Sequence, residues 1–199
     1  MKRGARYITL ISDAAKRMGL LIDDLLAFSR MGRAEIRLAA VNMRGLIEEV
    51  RRELGPEIEG RMIEWNIADL PPAHADASLI RQVWTNLISN AVKYSRTRDE
   101  AQIEIGFDNS KENEIIYWVK DNGVGFDMKY VDRLFGVFQR LHTESDFDGT
   151  GIGLATVRRI VHRHGGRTWA IGEVDHGASI YVAMPRLDGG HPPVAPDEA

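Results

Sequence analysis

The segment Gly149-Thr-Gly151-Ile-Gly153-Leu154 constrains this chain more than any other. Its alternating glycines leave backbone amides uncovered, and the apolar run behind them reads as a helix that stops at Gly165–Gly166. A glycine loop that opens a helix is an anion site, because unpaired amides and the positive end of the helix dipole point the same way. The same residues exclude two common phosphate-binding folds. No Lys-Ser or Lys-Thr follows, as a Walker loop requires, and no strand immediately precedes this G-x-G-x-G, as the dinucleotide fingerprint requires.

Around this loop the chain reads as a mixed α/β domain over 41–186. A helix is predicted over 43–54, stopped by Gly55–Pro56, then a strand over 61–67, a loop over 69–72 and a second helix from an Asp76 N-cap to about 95. Strands over 103–107 and 115–120 flank a polar turn, and a hairpin over 167–172 and 179–184 closes the domain. With 44% apolar and 28% charged residues in 199, the chain can bury a core for one domain or a small pair.

Two segments lie outside that domain. Residues 5–31 read as a long helix in which Tyr7, Ile11, Ala14, Met18, Leu21, Leu25 and Phe28 form a heptad seam. Ile8, Ala15 and Ile22 widen it to a face suited to a four-helix bundle, which predicts dimerisation ahead of packing on its own domain. Residues 187–199, with Pro192, Pro193, Pro196 and paired glycines, read as a disordered tail.

A net charge of −3 gives no basic excess for nucleic acid. The absence of cysteine excludes disulfides, thiolate nucleophiles and zinc–thiolate sites, and fits a reducing compartment. No apolar run approaches a membrane span and no signal pattern opens the chain, so a cytoplasmic segment without membrane insertion is expected.

Three further segments carry candidate chemistry. Asn86, Asn90 and Lys93 share one helical face, with Tyr94 beside them and Val83, Leu87, Ile88 and Ala91 opposite. An amide oxygen, an ammonium and a ring grouped this way suit Mg²⁺, phosphate and a base, or form an ordinary polar helix face. Asp121-Asn-Gly123-Val-Gly125-Phe-Asp127 follows a strand, and offers either a carboxylate for an exocyclic amine or a plain turn. In Phe135-Gly-Val-Phe138-Gln-Arg140, the phenylalanines suit core packing and Arg140 can reach a phosphate.

Taken in order, the four segments resemble the N box, first glycine box, F box and second glycine box of the catalytic ATP-binding domain of sensor histidine kinases. The stretch from FQRLH to GTGIGLA is similar to kinases fused to phytochrome or PAS sensors, and the long helix resembles the second helix of the family's dimerisation and phosphotransfer hairpin. The resemblance implies a two-layer α/β sandwich of the Bergerat type, binding ATP and Mg²⁺. It assigns Mg²⁺ to Asn90 with Asn86 in support, the triphosphate to Lys93, and adenine stacking to Tyr94. It assigns the adenine amine to Asp121, with Gly123 and Gly125 letting the base approach. Residues 135–148 become a mobile lid carrying Phe138 and Arg140, while Gly149, Thr150, Gly151, Gly153 and Leu154 wrap the phosphates. Asn90, Lys93 and Arg140 are the implied catalytic residues.

Water-using ATPases of the same superfamily carry a glutamate four residues before the metal-binding asparagine, where this chain has Asn86. An amide cannot take a proton from water. That favours transfer of the γ-phosphoryl to a supplied histidine and relay to a response-regulator aspartate, through a homodimer formed by the first helix. A nucleotide-gated interaction module and a water-using ATPase are the alternatives. None of His74, His142, His162, His164, His176 and His191 sits in a phosphoacceptor pattern, so each is expected to be a solvated surface histidine and the acceptor is expected outside this sequence.

Overall fold

The computed structural model describes residues 35–142 and 147–186, with eight single helical positions between 15 and 28. The tail and the seam residues Tyr7, Ile11 and Ala14 lie outside the described residues. The elements run β1 (Ala39–Val41), α1 (Met43–Glu53), α2 (Gly55–Ile58), β2 (Met62–Ile67), β3 (Ala73–Ala75), α3 (Ala77–Tyr94), β4 (Glu100–Asp108), β5 (Glu114–Asp121), a 3₁₀ turn (Met128–Arg133), α4 (Gly153–Arg163), β6 (Arg167–Glu173) and β7 (Gly177–Pro185). A five-stranded sheet has the order β2-β4-β5-β7-β6, parallel only at β2–β4, and β1 and β3 pair separately.

Each helix is fixed by local chemistry. In α1, Met43, Ile47 and Val50 fall on one buried stripe, and Asn42 caps the start by accepting from Gly45 N at 3.0 Å. α1 stops at Leu54 as Gly55–Pro56 predicts, but the chain goes on into a second, four-residue helix. Pro56 sits in the first turn of α2, where its missing N–H has no cost. In α3, Asp76 accepts from Ser78 Oγ at 2.6 Å and from Ser78 N and Leu79 N, and these bonds, the hydroxyl's first, hold its carboxyl down at about 2. At the other end the Arg61 guanidinium donates to Val92 O at 2.8 Å, satisfying an orphan carbonyl.

The core lies between the sheet and α1, α3 and α4. Trp84 of α3 meets Tyr117 of β5 edge-to-face at 6.1 Å, and its indole N–H reaches Met43 Sδ. The Tyr117 hydroxyl donates to Pro71 O at 3.0 Å, and burial raises its pKa.

His74 lies in β3, not in a loop, and is exposed as a surface histidine should be. His164 departs from the surface expectation. His164, the C-cap of α4, is 8% exposed. Its Nε2 accepts from Asp76 N at 3.0 Å, so Nδ1 carries the proton and donates to Ile160 O at 2.8 Å. The end of α4 is thereby tied to the start of α3. Burial lowers the His164 pKa below 6.5, so this contribution is fully present above 6.5 and is lost as pH falls through the folded value. His164→Ala is expected to cost about 2–3 kcal/mol, from an unpaired buried amide plus a cavity, as measured by urea unfolding at pH 7.5.

Of the described positions in the predicted first helix, Met18, Ile22 and Leu25 are exposed. Phe28 packs at the edge of the core beneath the Arg159 guanidinium, 4.5 Å from its ring centroid.

Candidate functional site

α3 passes beneath the mouth of a cleft of about 280 Å³ and presents Asn86, Asn90, Lys93 and Tyr94 to it. The i, i+4, i+7 spacing puts the polar groups in one row, while Val83, Leu87, Ile88 and Ala91 are buried. Asn86 Nδ2 donates back to Gln82 O at 2.8 Å. Its Oδ1 lies so close to α4 that a Cβ on Gly153 would come within 2.6 Å, so that glycine is a condition of the two helices meeting. Burial lowers the Lys93 pKa, helped by Arg140 and opposed by Asp148. Its Nζ lies 4.4 Å over the Tyr94 ring.

β5 delivers Asp121 to the cleft floor at 7% exposure. Burial pushes its carboxyl up to about 6, against hydrogen bonds from the Gly123 and Ala178 amides. The glycines that follow have a packing task. Gly123 lies outside the cleft lining, and a Cβ there would meet Tyr94 O at 2.4 Å. Gly125 lines the cleft in a left-handed conformation, but its close neighbours are the carbonyls of Glu173 and Gly177. Both let protein backbones approach one another.

Arg98, which motif reading missed, locks this junction. Its guanidinium donates to Asn122 O at 2.8 Å, Gly123 O at 3.0 Å and Asp175 O, joining the loop after β5 to the β6–β7 turn.

The segment beyond covers Tyr94. Phe147 is buried, meets the Tyr94 ring edge-on at 5.0 Å and lies 4.6 Å beneath the Arg96 guanidinium. His142 also packs on Tyr94, and its Nε2 is 2.9 Å from Gly125 O, so it is not a solvated histidine. Arg140 donates to Gly149 O at 2.9 Å and to Phe147 O, holding the glycine loop closed on the cleft. Phe135 is buried as core packing predicts. Phe138 is not among the lining residues: a positive φ of 60° turns the chain there and leaves its ring 51% exposed.

Gly149, Thr150, Gly151, Gly153 and Leu154 line the opposite wall, with positive φ at Gly149 and Gly151. Unlike α1 and α3, α4 has no side-chain cap at its N-cap residue Ile152, and Ile152, Gly153 and Leu154 line the cleft. Buried carboxylate, amide row, lysine, arginine and glycine loop line one cleft, graded from an acidic floor to a wall of cations and backbone.

Residues 75–188 match the family model described as "Histidine kinase-, DNA gyrase B-, and HSP90-like ATPase". The chain belongs to this family. Within it, the chain is 34% identical over 179 residues to Cyanobacterial phytochrome A of Nostoc sp., covering 90% of this chain and 23% of that protein. The chain thus spans about a quarter of the length of the phytochromes it matches. Full-length ShkA, solved in complex with AMPPNP, superposes with a TM-score of 0.72 at 28% identity over 94% of this chain and 39% of ShkA. The catalytic domain of the histidine kinase ThkA superposes at 0.62 with 25% identity, over 75% of this chain and 95% of that domain. The fold of this family member is that of histidine kinase catalytic domains, with a mixed sheet under helices as the sequence implied. Among the described residues, no helix is long and apolar enough to cross a membrane.

Proposed function

We propose that this chain is the ATP-binding catalytic unit of a sensor histidine kinase. In this reading it positions ATP for transfer of the γ-phosphoryl to a histidine on another segment, for relay to the aspartate of a response-regulator receiver domain. The carrying observation is the amide at the position of the hydrolytic glutamate. Among the described residues, the carboxylates lining the cleft are Asp121, buried and already accepting from Gly123 N, and Asp148. Asn86, at the position of the hydrolytic glutamate, is an amide bonded to Gln82 O. Such a site can orient a triphosphate, and with an amide at the Asn86 position α3 offers no base for water there, so the rate of transfer rests on positioning and charge neutralisation.

Asp121 would accept from the adenine amine. Lys93, Arg140 and the α4 amides would hold the phosphates, and Asn90, on the cleft side of α3, would hold Mg²⁺ with Asn86 in support. Mg²⁺, when bound, supplies positive charge between phosphate oxygens. Leu154 and Thr150 would close the phosphate wall, and the segment 135–148 would serve as the lid. The boundaries 5–31, 41–186 and 187–199, with dimerisation through the first of these, belong to the same reading. So does a cytoplasmic setting.

The test mixes this chain with radiolabelled ATP, Mg²⁺ and a separately produced histidine-bearing hairpin. Acid-labile label on the hairpin, with little free phosphate, is expected. Rapid phosphate release without the hairpin would overturn the reading in favour of an ATPase. Asn90→Ala is expected to weaken Mg²⁺–ATP binding tenfold or more, roughly the loss of one ligand at about 1.4 kcal/mol, while adenosine binding stays within about twofold. Equal losses for both ligands in calorimetry would count against the metal role of Asn90.

A further inference from the structure

A buried carboxylate can read a ligand only if it is aimed, and two amides aim Asp121. Gly123 N donates to Asp121 Oδ1 at 2.8 Å, and the Ala178 amide donates to the same carboxyl. Burial acts against the ionised form and raises the carboxyl to about 6, while these two amides act for it. The other groups around it are Ile103 of β4, directly opposite, and the Tyr94 phenol of α3. Along the cleft wall stand the ionisable side chains Lys93, Arg140, His142 and Asp148.

Both donors lead back to Arg98. The Gly123 N–H belongs to the peptide whose oxygen is Asn122 O, and a trans peptide points the two in opposite directions. Asp121 holds that peptide by its hydrogen, and Arg98 Nε holds it by its oxygen at 2.8 Å. Arg98 Nη2 takes the next carbonyl, Gly123 O, at 3.0 Å, and also Asp175 O in the turn that leads into β7 and Ala178. The turn is bonded to the same loop by Asp175 N, which donates to Val124 O at 2.8 Å. Arg98 is itself placed by the end of α3, since its amide donates to Ser95 O at 3.0 Å. The preceding carbonyl, Tyr94 O, accepts from Val124 N at 3.1 Å.

Three carbonyl oxygens that converge on one point need several donors in a fixed fork, which a guanidinium supplies and an ammonium supplies only in part. A cation on the oxygen of a peptide also polarises it, so that its N–H becomes a stronger donor to an anion on the far side. We propose that Arg98 is a positioning residue for nucleotide binding: by gripping the Asn122–Gly123 peptide and the β6–β7 turn, it aims Asp121 and keeps it ready to accept from the base. This rests on the reading of Asp121 as the group that meets the adenine amine.

The experiment measures ATP affinity of the 199-residue chain by calorimetry from pH 5 to pH 8. It compares the parent, Arg98→Met and Arg98→Lys, and repeats Arg98→Met in an Asp121→Asn background. Arg98→Met is expected to weaken ATP binding about tenfold at pH 7.5 and to raise the pH midpoint of binding by about half a pH unit, because the Gly123 amide then favours the ionised carboxyl less. Arg98→Lys, which keeps the charge, is expected to recover most of the affinity and the parental midpoint. In the Asp121→Asn background, Arg98→Met is expected to change affinity by less than about twofold. A purely structural arginine would leave the midpoint in place and cost the same in both backgrounds, and either result overturns the proposal. Arg98→Gln, which keeps a donor without charge, carries the same test if the methionine variant does not fold. Failure of both to fold assigns Arg98 to stability alone and overturns the proposal. A parent chain that does not bind ATP overturns the nucleotide reading and the proposal with it, whereas a parent that binds while the Arg98 variants keep its midpoint overturns the proposal alone.

Discussion

Asp121→Asn is expected to lower ATP affinity about 100-fold or more and, in the same protein, to remove a pH dependence from the fold. The binding loss has two parts. A charge-assisted hydrogen bond in a buried site contributes about 1.5–3 kcal/mol, and an amide that turns its own N–H toward the adenine amine adds a donor–donor mismatch of similar size. The stability effect follows from burial. The folded carboxyl titrates at about 6 against 3.8 unfolded, so the native state binds more protons between these values. The Asp121 contribution is thus fully present below 3.8 and is lost as pH rises through about 6, by about 3 kcal/mol in total. Urea midpoints between pH 4 and pH 7.5 should show that the variant lacks this loss. In the parent chain, nucleotide affinity should weaken as pH falls through 6, because only the ionised carboxyl accepts from the amine with both oxygens. Equal pH slopes for parent and variant would sink the burial account, and ATP binding by Asp121→Asn at parental strength would sink the amine-reading role.

Gly125→Ala is expected to destabilise the domain by about 3–5 kcal/mol and to abolish nucleotide binding with it. The residue has φ +59°, and a Cβ would stand 1.9 Å from Glu173 O and 2.7 Å from Gly177 O. Both obstacles are main-chain carbonyls, at the end of β6 and the start of β7, so no side chain can swing aside. Gly55→Ala is the control: nothing lies within 4 Å of its would-be Cβ, and a change within about 0.5 kcal/mol is expected. Thermal melts of the two variants side by side decide the point, and similar melting temperatures for both would refute it.

What the sequence showed directly was what local chemistry fixes. The Asp76 cap, the buried stripe of α3 and the Gly165–Gly166 stop lie within a few residues of the elements they define, and the structure places each where the pattern puts it. The row Asn86, Asn90, Lys93 was legible for the same reason. The pair β1–β3 was not, because three-residue strands rich in alanine have no period of their own and exist through a contact 36 residues away in sequence, Ala39 with Ala75. The packing task of two glycines was not legible for a related reason. A glycine announces freedom but not what approaches it, and at Gly123 and Gly125 the visitor is Tyr94 O or the β6–β7 turn. His164 looked like any late-helix histidine until α3 was placed against its ring. Arg98 carries no motif, and its three carbonyl partners come from two segments that only the fold unites.

The continuity of α3 has a consequence for the chemistry. From Asn86 to Lys93 is seven residues, about 10 Å of axial rise set by main-chain bonds and not by packing. The helix is pinned at both ends, by His164 at Asp76 and by Arg61 at Val92. It therefore works as a fixed ruler along the cleft. In the proposed reading, whatever the lid does leaves the spacing between amide and ammonium unchanged, and only changes to the rod itself alter what length it measures.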